Sequence, residues 1–147
     1  MTKNKKFFLF VLIAVAVFGI DQISKLLVRT YLTKEISVIP GVLWLNYTTN
    51  TGAGFSILQN QNLLLIFISL IVIGLILYFY DEFKKVNTAI AIVFGGVIGN
   101  LIDRIVFGRV SDFIDFMIWP NFNIADSCIT TGIIIIVIYY LFLEKKK

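Results

Sequence analysis

The residues that invite a chemical reading are acids and amides set among apolar stretches. Asp21, Gln22 and Lys25 interrupt the first of these stretches, Asn100, Asp103 and Arg104 close the third, Asp112 and Asp115 follow in a polar segment, and Asn123 and Asp126 open the fourth. Ionisable groups at membrane depth cost roughly 2.5–3.5 kcal/mol each on insertion scales, so each demands a reason. The chain has no histidine and one cysteine, Cys128. That removes disulfide frameworks, Cys/His zinc sites and histidine-assisted nucleophiles. Carboxylate, lysine and hydroxyl chemistry remains, with no metal or other cofactor expected.

Asp112 and Asp126 offer the most. The stretch Trp119-Pro120-Asn121-Phe122-Asn123 between them is turn-like and can fold one aspartate back over the other. Two carboxylates held close cannot both ionise cheaply, so one keeps a proton. The charged partner can then activate water while the protonated one assists the carbonyl and the leaving amine, which is acid–base machinery for peptide hydrolysis. Asp126 would lie in the first turn of a helix, where the dipole favours its anion and desolvation opposes it. Spacing alone leaves a plainer reading open, with Asp126 a helix cap and Asp112 a solvated loop residue. Asp115 also competes with Asp112 for the role.

Asn100, Asp103 and Arg104 stand at i, i+3 and i+4, which puts an amide, a carboxylate and a guanidinium on one helix face. A planar fork and a two-way amide can hold a substrate backbone. Asp21 and Lys25, at i and i+4, read equally well as a tie between helices, as does Asp103. Ser24 and Lys25 are adjacent and point about 100° apart on a helix, so they cannot form a Ser-Lys pair.

These groups need a scaffold, and composition says which kind. Of 147 residues, 59% are hydrophobic, and the mean hydropathy is +0.91. An ordinary soluble domain has roughly 45–50% apolar residues. The chain reads as one domain, residues 1–147, with helices over about 7–28, 63–80, 86–103 and 125–143 and polar segments over about 29–62 and 104–124. Lys3-Asn4-Lys5-Lys6 before an apolar run resembles a cleavable signal, and Ala14-Val15-Ala16 has the A-x-A form, but it lies mid-run and three more apolar blocks follow. An uncleaved span is the better reading. The second block carries no charge over about 18 residues, close to the roughly 20 a bilayer requires. Gly95 and Gly99, with Gly96 between them, have the spacing that lets a neighbouring helix approach the backbone. The fourth block is isoleucine-rich, yet a lone strand in lipid leaves its backbone unpaired, so it should be helical.

The net charge of +4 comes from lysines flanking apolar blocks, Lys3, Lys5, Lys6, Lys84, Lys85 and Lys145 to Lys147. This is a topology signal and not a nucleic-acid footprint. Four spans put both termini and all these lysines on one side, which the positive-inside rule makes cytoplasmic. In the first segment on the opposite face, Val42 to Tyr47 and Phe55 to Leu58 flank a turn-rich 48–54 stretch, which predicts a small hairpin or sheet at the interface, with Trp44 and Tyr47 at headgroup depth. An irregular loop is the alternative. The fold class expected is an all-α membrane protein of four transmembrane helices with a small β-rich extracytoplasmic interfacial segment.

Five blocks in order, Asp21-Gln22-x-x-Lys25, Asn50-Thr51-Gly52-Ala53-Gly54-Phe55, Gly99-Asn100-x-x-Asp103-Arg104, Gly108-x-Val110-x-Asp112-Phe113 and Phe122-Asn123-x-Ala125-Asp126, span nearly the whole chain. Together they resemble lipoprotein signal peptidase (signal peptidase II), a family of bacterial inner-membrane aspartyl endopeptidases. The resemblance implies that Asp112 and Asp126 form the catalytic dyad, in preference to Asp115. It implies that Asn50, Asn100, Arg104 and Asn123 contact substrate, and that Asp21, Lys25, Gly52 and Asp103 support the site. The implied substrates are prolipoproteins already carrying a diacylglyceryl group, cut immediately before the modified cysteine. The implied location is the bacterial cell membrane, with the active site near the extracytoplasmic face. Gly54 departs from the alanine or serine common at that place in the family, which implies a looser loop. A monomer in contact with membrane lipid is expected.

Two other classes compete. An ion or proton transporter also buries Asp and Asn, but it would carry polar residues through the midplane of several helices, whereas here the second helix is apolar and the acids gather at one end. A membrane scaffold would use the glycines and polar ties for packing alone.

Overall fold

In a computed structural model, residues 2–53 and 57–144 are described. Gly54 and the chain-end lysines Lys145 to Lys147 lie outside the described residues, as do Phe55 and Ser56 of the expected second hairpin strand. Four helices carry the chain: α1 (Lys3–Tyr31), α2 (Asn62–Tyr78), α3 (Asn87–Phe107) and α4 (Ile124–Ile138), the last continuing as a π-helical turn over Tyr139–Leu143. Three strands join them: β1 (Ile36–Ile39), β2 (Leu43–Asn50) and β3 (Val110–Asp115). The helices Lys3–Tyr31, Asn87–Phe107 and Ile124–Leu143 are long and apolar enough to cross a bilayer, while α2 is a shorter apolar helix. The ends differ from expectation by a few residues, most of all for α1 and α3, which run on to Tyr31 and Phe107. A further turn of helix satisfies those backbone groups internally, as a low-dielectric surround requires. Gly108, at φ 70°, then ends α3 in the left-handed conformation that glycine adopts freely.

Burial runs opposite to that of a soluble bundle. Leu12, Val15, Ile23 and Leu26 of α1 are exposed, whereas Asp21 and Lys25 on the same helix are fully buried. Outward apolar side chains and an inward polar cluster suit hydrocarbon as the solvent. Helix α3 is the centre, and the three glycines make it so. A Cβ on Gly95 would sit 2.6 Å from Ala14 O, one on Gly96 2.7 Å from Ala125 O, and one on Gly99 2.5 Å from Asp21 Oδ2. The expected close approach is thus present twice, α1 against Gly95 and Gly99 and α4 against Gly96. Phe10, Ala89, Ile90, Ala91, Val93 and Val97 form the apolar core around it.

The basic flanks meet at one end of the bundle. Lys3 Nζ pairs with Asp81 Oδ2 at 2.8 Å, Lys6 Nζ donates to Lys84 O at 3.2 Å, and Lys85 Nζ pairs with Glu144 Oε1 at 2.6 Å.

At the other end the strands form an antiparallel sheet in the order β1-β2-β3. A small sheet is thus present where a hairpin or sheet was expected, but its pairing differs. Strand β2 runs on through Thr48 to Asn50, where a turn was expected, and its partners are β1 and β3, with Leu45 opposite Ile36 and Ile114, and Thr48 opposite Asp112. The pairing partner β3 lies about sixty residues away in sequence, and its Val110-Ser111-Asp112-Phe113-Ile114-Asp115 run carries no clean apolar–polar alternation to mark a strand. Residues 57–60 form turns, and Ala53 N donates to Ile57 O at 2.7 Å.

Candidate active site

Strand β3 and the start of α4 are held together by a short return of the chain. Phe113 N and Ile114 N both donate to Phe122 O, at 3.0 and 2.9 Å, and Phe122 N donates back to Ile114 O at 3.1 Å. Asn123 is therefore delivered between Asp112 on the strand and Asp126 one helical turn on. The fold-back expected of residues 119–123 is present.

Asn123 is fully buried and touches both acids. Its Nδ2 donates to Asp112 Oδ1 at 2.6 Å, its backbone N–H donates to Asp126 Oδ2 at 3.2 Å, and its Oδ1 accepts from Asp126 N at 2.9 Å. The last two bonds form a capping box at the start of α4. The capping role for Asp126 and its place in the cluster therefore coexist. A second bridge runs through Asn100, whose Nδ2 donates to Asp126 Oδ1 at 2.8 Å while its Oδ1 accepts from Lys25 Nζ at 2.9 Å and Asn123 Nδ2 at 3.2 Å. An ammonium can only donate, so the orientation of that amide is fixed. Asn50 Nδ2 reaches Asp112 Oδ2 at 3.1 Å, and Asn50 Oδ1 accepts from Gly52 N at 2.8 Å.

Beneath these groups lies an ion cluster. Lys25 Nζ is 2.8 Å from Asp21 Oδ2 and 3.4 Å from Asp103 Oδ2, and all three side chains are 0% exposed. Arg29 adds a second cation 3.6 Å from Asp103 Oδ1, with its guanidinium over the Phe107 ring. Gln22 Nε2 bonds Asp21 Oδ2 at 3.1 Å and Gly99 O at 3.0 Å. Asp21 and Asp103 then reach the strand and the helix that carry Asp112 and Asp126. Asp21 Oδ1 accepts from Ala125 N at 2.9 Å, and Asp103 Oδ2 accepts from Ser111 N at 3.1 Å. Ala125 precedes Asp126 and Ser111 precedes Asp112. Asp21 and Asp103 thus make two backbone anchors, each one residue upstream of an acid.

Asp112 and Asp126 line a cavity of about 540 Å³ together with Asn50, Arg104, Trp119 and Phe122. Arg104 Nη2 donates to Gly52 O at 3.1 Å, which tethers the 50–53 turn to α3. A Cβ on Gly52 would meet Ile57 O at 2.6 Å, so glycine is required there by space. Asp115 stands apart: its Oδ1 accepts from Met117 N at 2.6 Å and steadies that residue's left-handed turn. Among the described residues no three His, Cys, Asp or Glu side chains converge to hold a metal ion.

Burial is the main cause that pushes Asp112 up to about 6, followed by the nearby Asp126 charge, against the opposing pull of its hydrogen bonds from Asn50 and Asn123.

Several lining residues had drawn no attention from the sequence, namely Phe116, Ser127, Thr130 and Thr131. The signal for the last two was available, since adjacent threonines break an otherwise isoleucine-rich span.

The whole chain can now be set beside known proteins. The family model described as signal peptidase (SPase) II matches residues 13–142. The lipoprotein signal peptidase of Symbiobacterium thermophilum is 35% identical over 146 residues, covering 92% of this chain and 96% of that protein. That of Lactobacillus johnsonii is 38% identical, covering 99% of each. Two solved structures described as bacterial membrane enzymes, determined by the in meso method at 2.3 Å and 1.9 Å resolution, superpose with TM-scores of 0.88 and 0.79 at 35% and 36% identity. The first match covers 94% of this chain and 90% of that one, the second 91% and 93%. Sequence and backbone agree over nearly the full length, and the chain belongs to the signal peptidase II family, bacterial membrane-integral proteases that cleave signal peptides from prolipoproteins.

Proposed function

We propose that this protein is an aspartic endopeptidase in which Asp112 and Asp126 hydrolyse the peptide bond immediately before the diacylglyceryl-modified cysteine of prolipoproteins. The observation that carries this reading is the bridging of both carboxylates by Asn123 at the wall of one cavity. With one proton between them, the charged carboxylate takes a proton from a water in the cavity. The resulting hydroxyl oxygen attacks the scissile carbonyl. The protonated carboxyl hydrogen-bonds the carbonyl oxygen as charge builds there, and a proton then passes to the departing amine. Asn100 and Asn123 hold the acids in place, while Asn50 and Arg104, at the cavity wall, offer donors to the substrate backbone.

Four spans remain the best topology. At 17 residues, α2 is about 26 Å long. That lies within the range of about 17–25 residues by which helices cross bilayers. Its Asn62–Tyr78 sequence contains no charge. With the lysine-rich end of the bundle cytoplasmic, the sheet and the dyad fall near the extracytoplasmic face. A substrate bearing a signal helix and two acyl chains would reach them laterally through lipid, and the protein would act as a monomer.

The test is cleavage of a purified diacylglyceryl-modified prolipoprotein, with the product's new N-terminus identified as the modified cysteine. No cleavage by the folded protein would overturn the reading. The pH profile gives a second check. Asp112 gives up its proton as pH rises through about 6 in the free enzyme. Above that pH the acid partner is lost, so kcat/KM is expected to fall, with the limb in kcat displaced to higher pH because seated substrate excludes water. Asn50→Ala removes a bond that favours the anion, so it should shift the kcat/KM limb upward. A profile flat between about pH 5 and 8 would contradict the shared proton.

A further inference from the structure

Helix α4 carries three hydroxyl side chains, Ser127, Thr130 and Thr131, before the run Ile133 to Ile138. All three line the same cavity as the dyad. Ser127 Oγ is committed to Asn123 O at 2.9 Å. Among the described residues, the exposed Thr130 and Thr131 hydroxyls have no hydrogen-bond partner. Thr130 lies one turn beyond Asp126, which is about 6 Å further toward the lysine-rich end of the bundle.

A helical peptide presents a poor target for hydrolysis, because each carbonyl is already bonded along the helix and shielded by its neighbours. The signal helix must unwind where it meets Asp112 and Asp126, and every backbone group freed in hydrocarbon costs several kcal/mol unless a partner replaces the lost bond. Asn50 and Arg104, at the cavity wall, offer donors from β2 and α3. On α4, below the level of the acids, the threonines are the partners available. The topology proposed above sends the signal peptide from the cut toward the cytoplasmic end, so the residues preceding the cut pass this level.

Resting on the peptidase reading, we propose that Thr130 and Thr131 bind the unwound backbone just N-terminal to the scissile bond, donating their hydroxyls to its freed carbonyls. They act on substrate binding and positioning.

The experiment compares Thr130→Val/Thr131→Val and Thr130→Ser/Thr131→Ser with the parent on a diacylglyceryl-modified prolipoprotein. Valine keeps the β-branched shape and removes the hydroxyl, whereas serine keeps the hydroxyl and removes the methyl. The valine variant is expected to lose about tenfold in kcat/KM, the worth of two ordinary hydrogen bonds, with an unchanged unfolding midpoint. The serine variant is expected to stay within about twofold. A valine variant as active as the parent, or an equal loss in both variants, would overturn the proposal while leaving the peptidase reading intact. A folded parent that does not cleave would sink both.

Discussion

Asp112→Asn is expected to lower kcat by about 10³-fold or more, with Asp126→Asn equally damaging and the double variant hardly worse than either. On the proposed mechanism the non-additivity follows from the shared proton: neither acid can act as base and acid in turn without its partner, so removing one removes the machinery. The fold should survive. In Asp112→Asn the remaining carbonyl oxygen can still accept from Asn123 Nδ2, which now bonds Asp112 Oδ1 at 2.6 Å. In Asp126→Asn it can still accept from the Asn123 N–H and keep the helix cap. What is lost at each position is one acceptor, because the new amide faces Asn50 or Asn100 donor to donor. A cost of about 1–3 kcal/mol attaches to such a mismatch. The decisive measurement is turnover of the lipidated precursor alongside thermal unfolding in the same detergent. More than a tenth of parental activity in either folded variant would remove that residue from the dyad. Asp115→Asn is the control, since its carboxylate serves the Met117 turn.

How much of this was legible beforehand depended on whether the determining interaction was local. Four apolar runs, the GxxxG spacing and the helical offsets of Asn100, Asp103 and Arg104 are local, and all stand in the structure. So does the fold-back between Asp112 and Asp126, because Pro120 and Asn121 advertise a turn. Strand β3 was missed for the opposite reason: its partner β2 is far away in sequence, and nothing near Val110 announces it. The support network was only half readable. An i, i+4 pair of Asp21 and Lys25 is visible in any helix, but the bond from Asp21 to Ala125 N crosses the bundle and depends on how closely α1 approaches α3 at Gly99. Conversely, the sequence set cap and chemistry as rivals for Asp126, and the geometry removes the rivalry. A residue at N3 reaches back to the cap with one oxygen and leaves the other to accept from Asn100.

Lys25→Met should be the most destabilising single change in the protein, and the reason is the charge it leaves behind. Lys25 is the ammonium within salt-bridge distance of both Asp21 and Asp103, and all three are sealed from solvent. Arg29 reaches Asp103 at 3.6 Å and does not replace the bond to Asp21. Stripping one partner from a buried ion cluster costs about 3–5 kcal/mol, because the remaining charges cannot regain their hydration. For a chain of this size the unfolding midpoint should fall by roughly 10 °C. Activity should fall as well, since Asp21 and Asp103 hold Ala125 N and Ser111 N next to the two acids, and Lys25 fixes the Asn100 amide. The charge argument makes a sharper demand than lost stability alone. Asp21→Asn combined with Lys25→Met removes the orphaned anion and should be more stable than Lys25→Met by itself, while peptidase activity stays low because Asn100 has still lost its ammonium. Equal or additive destabilisation in the double variant would mean that Lys25 contributes through packing of its alkyl chain, and that the two backbone anchors hold without it.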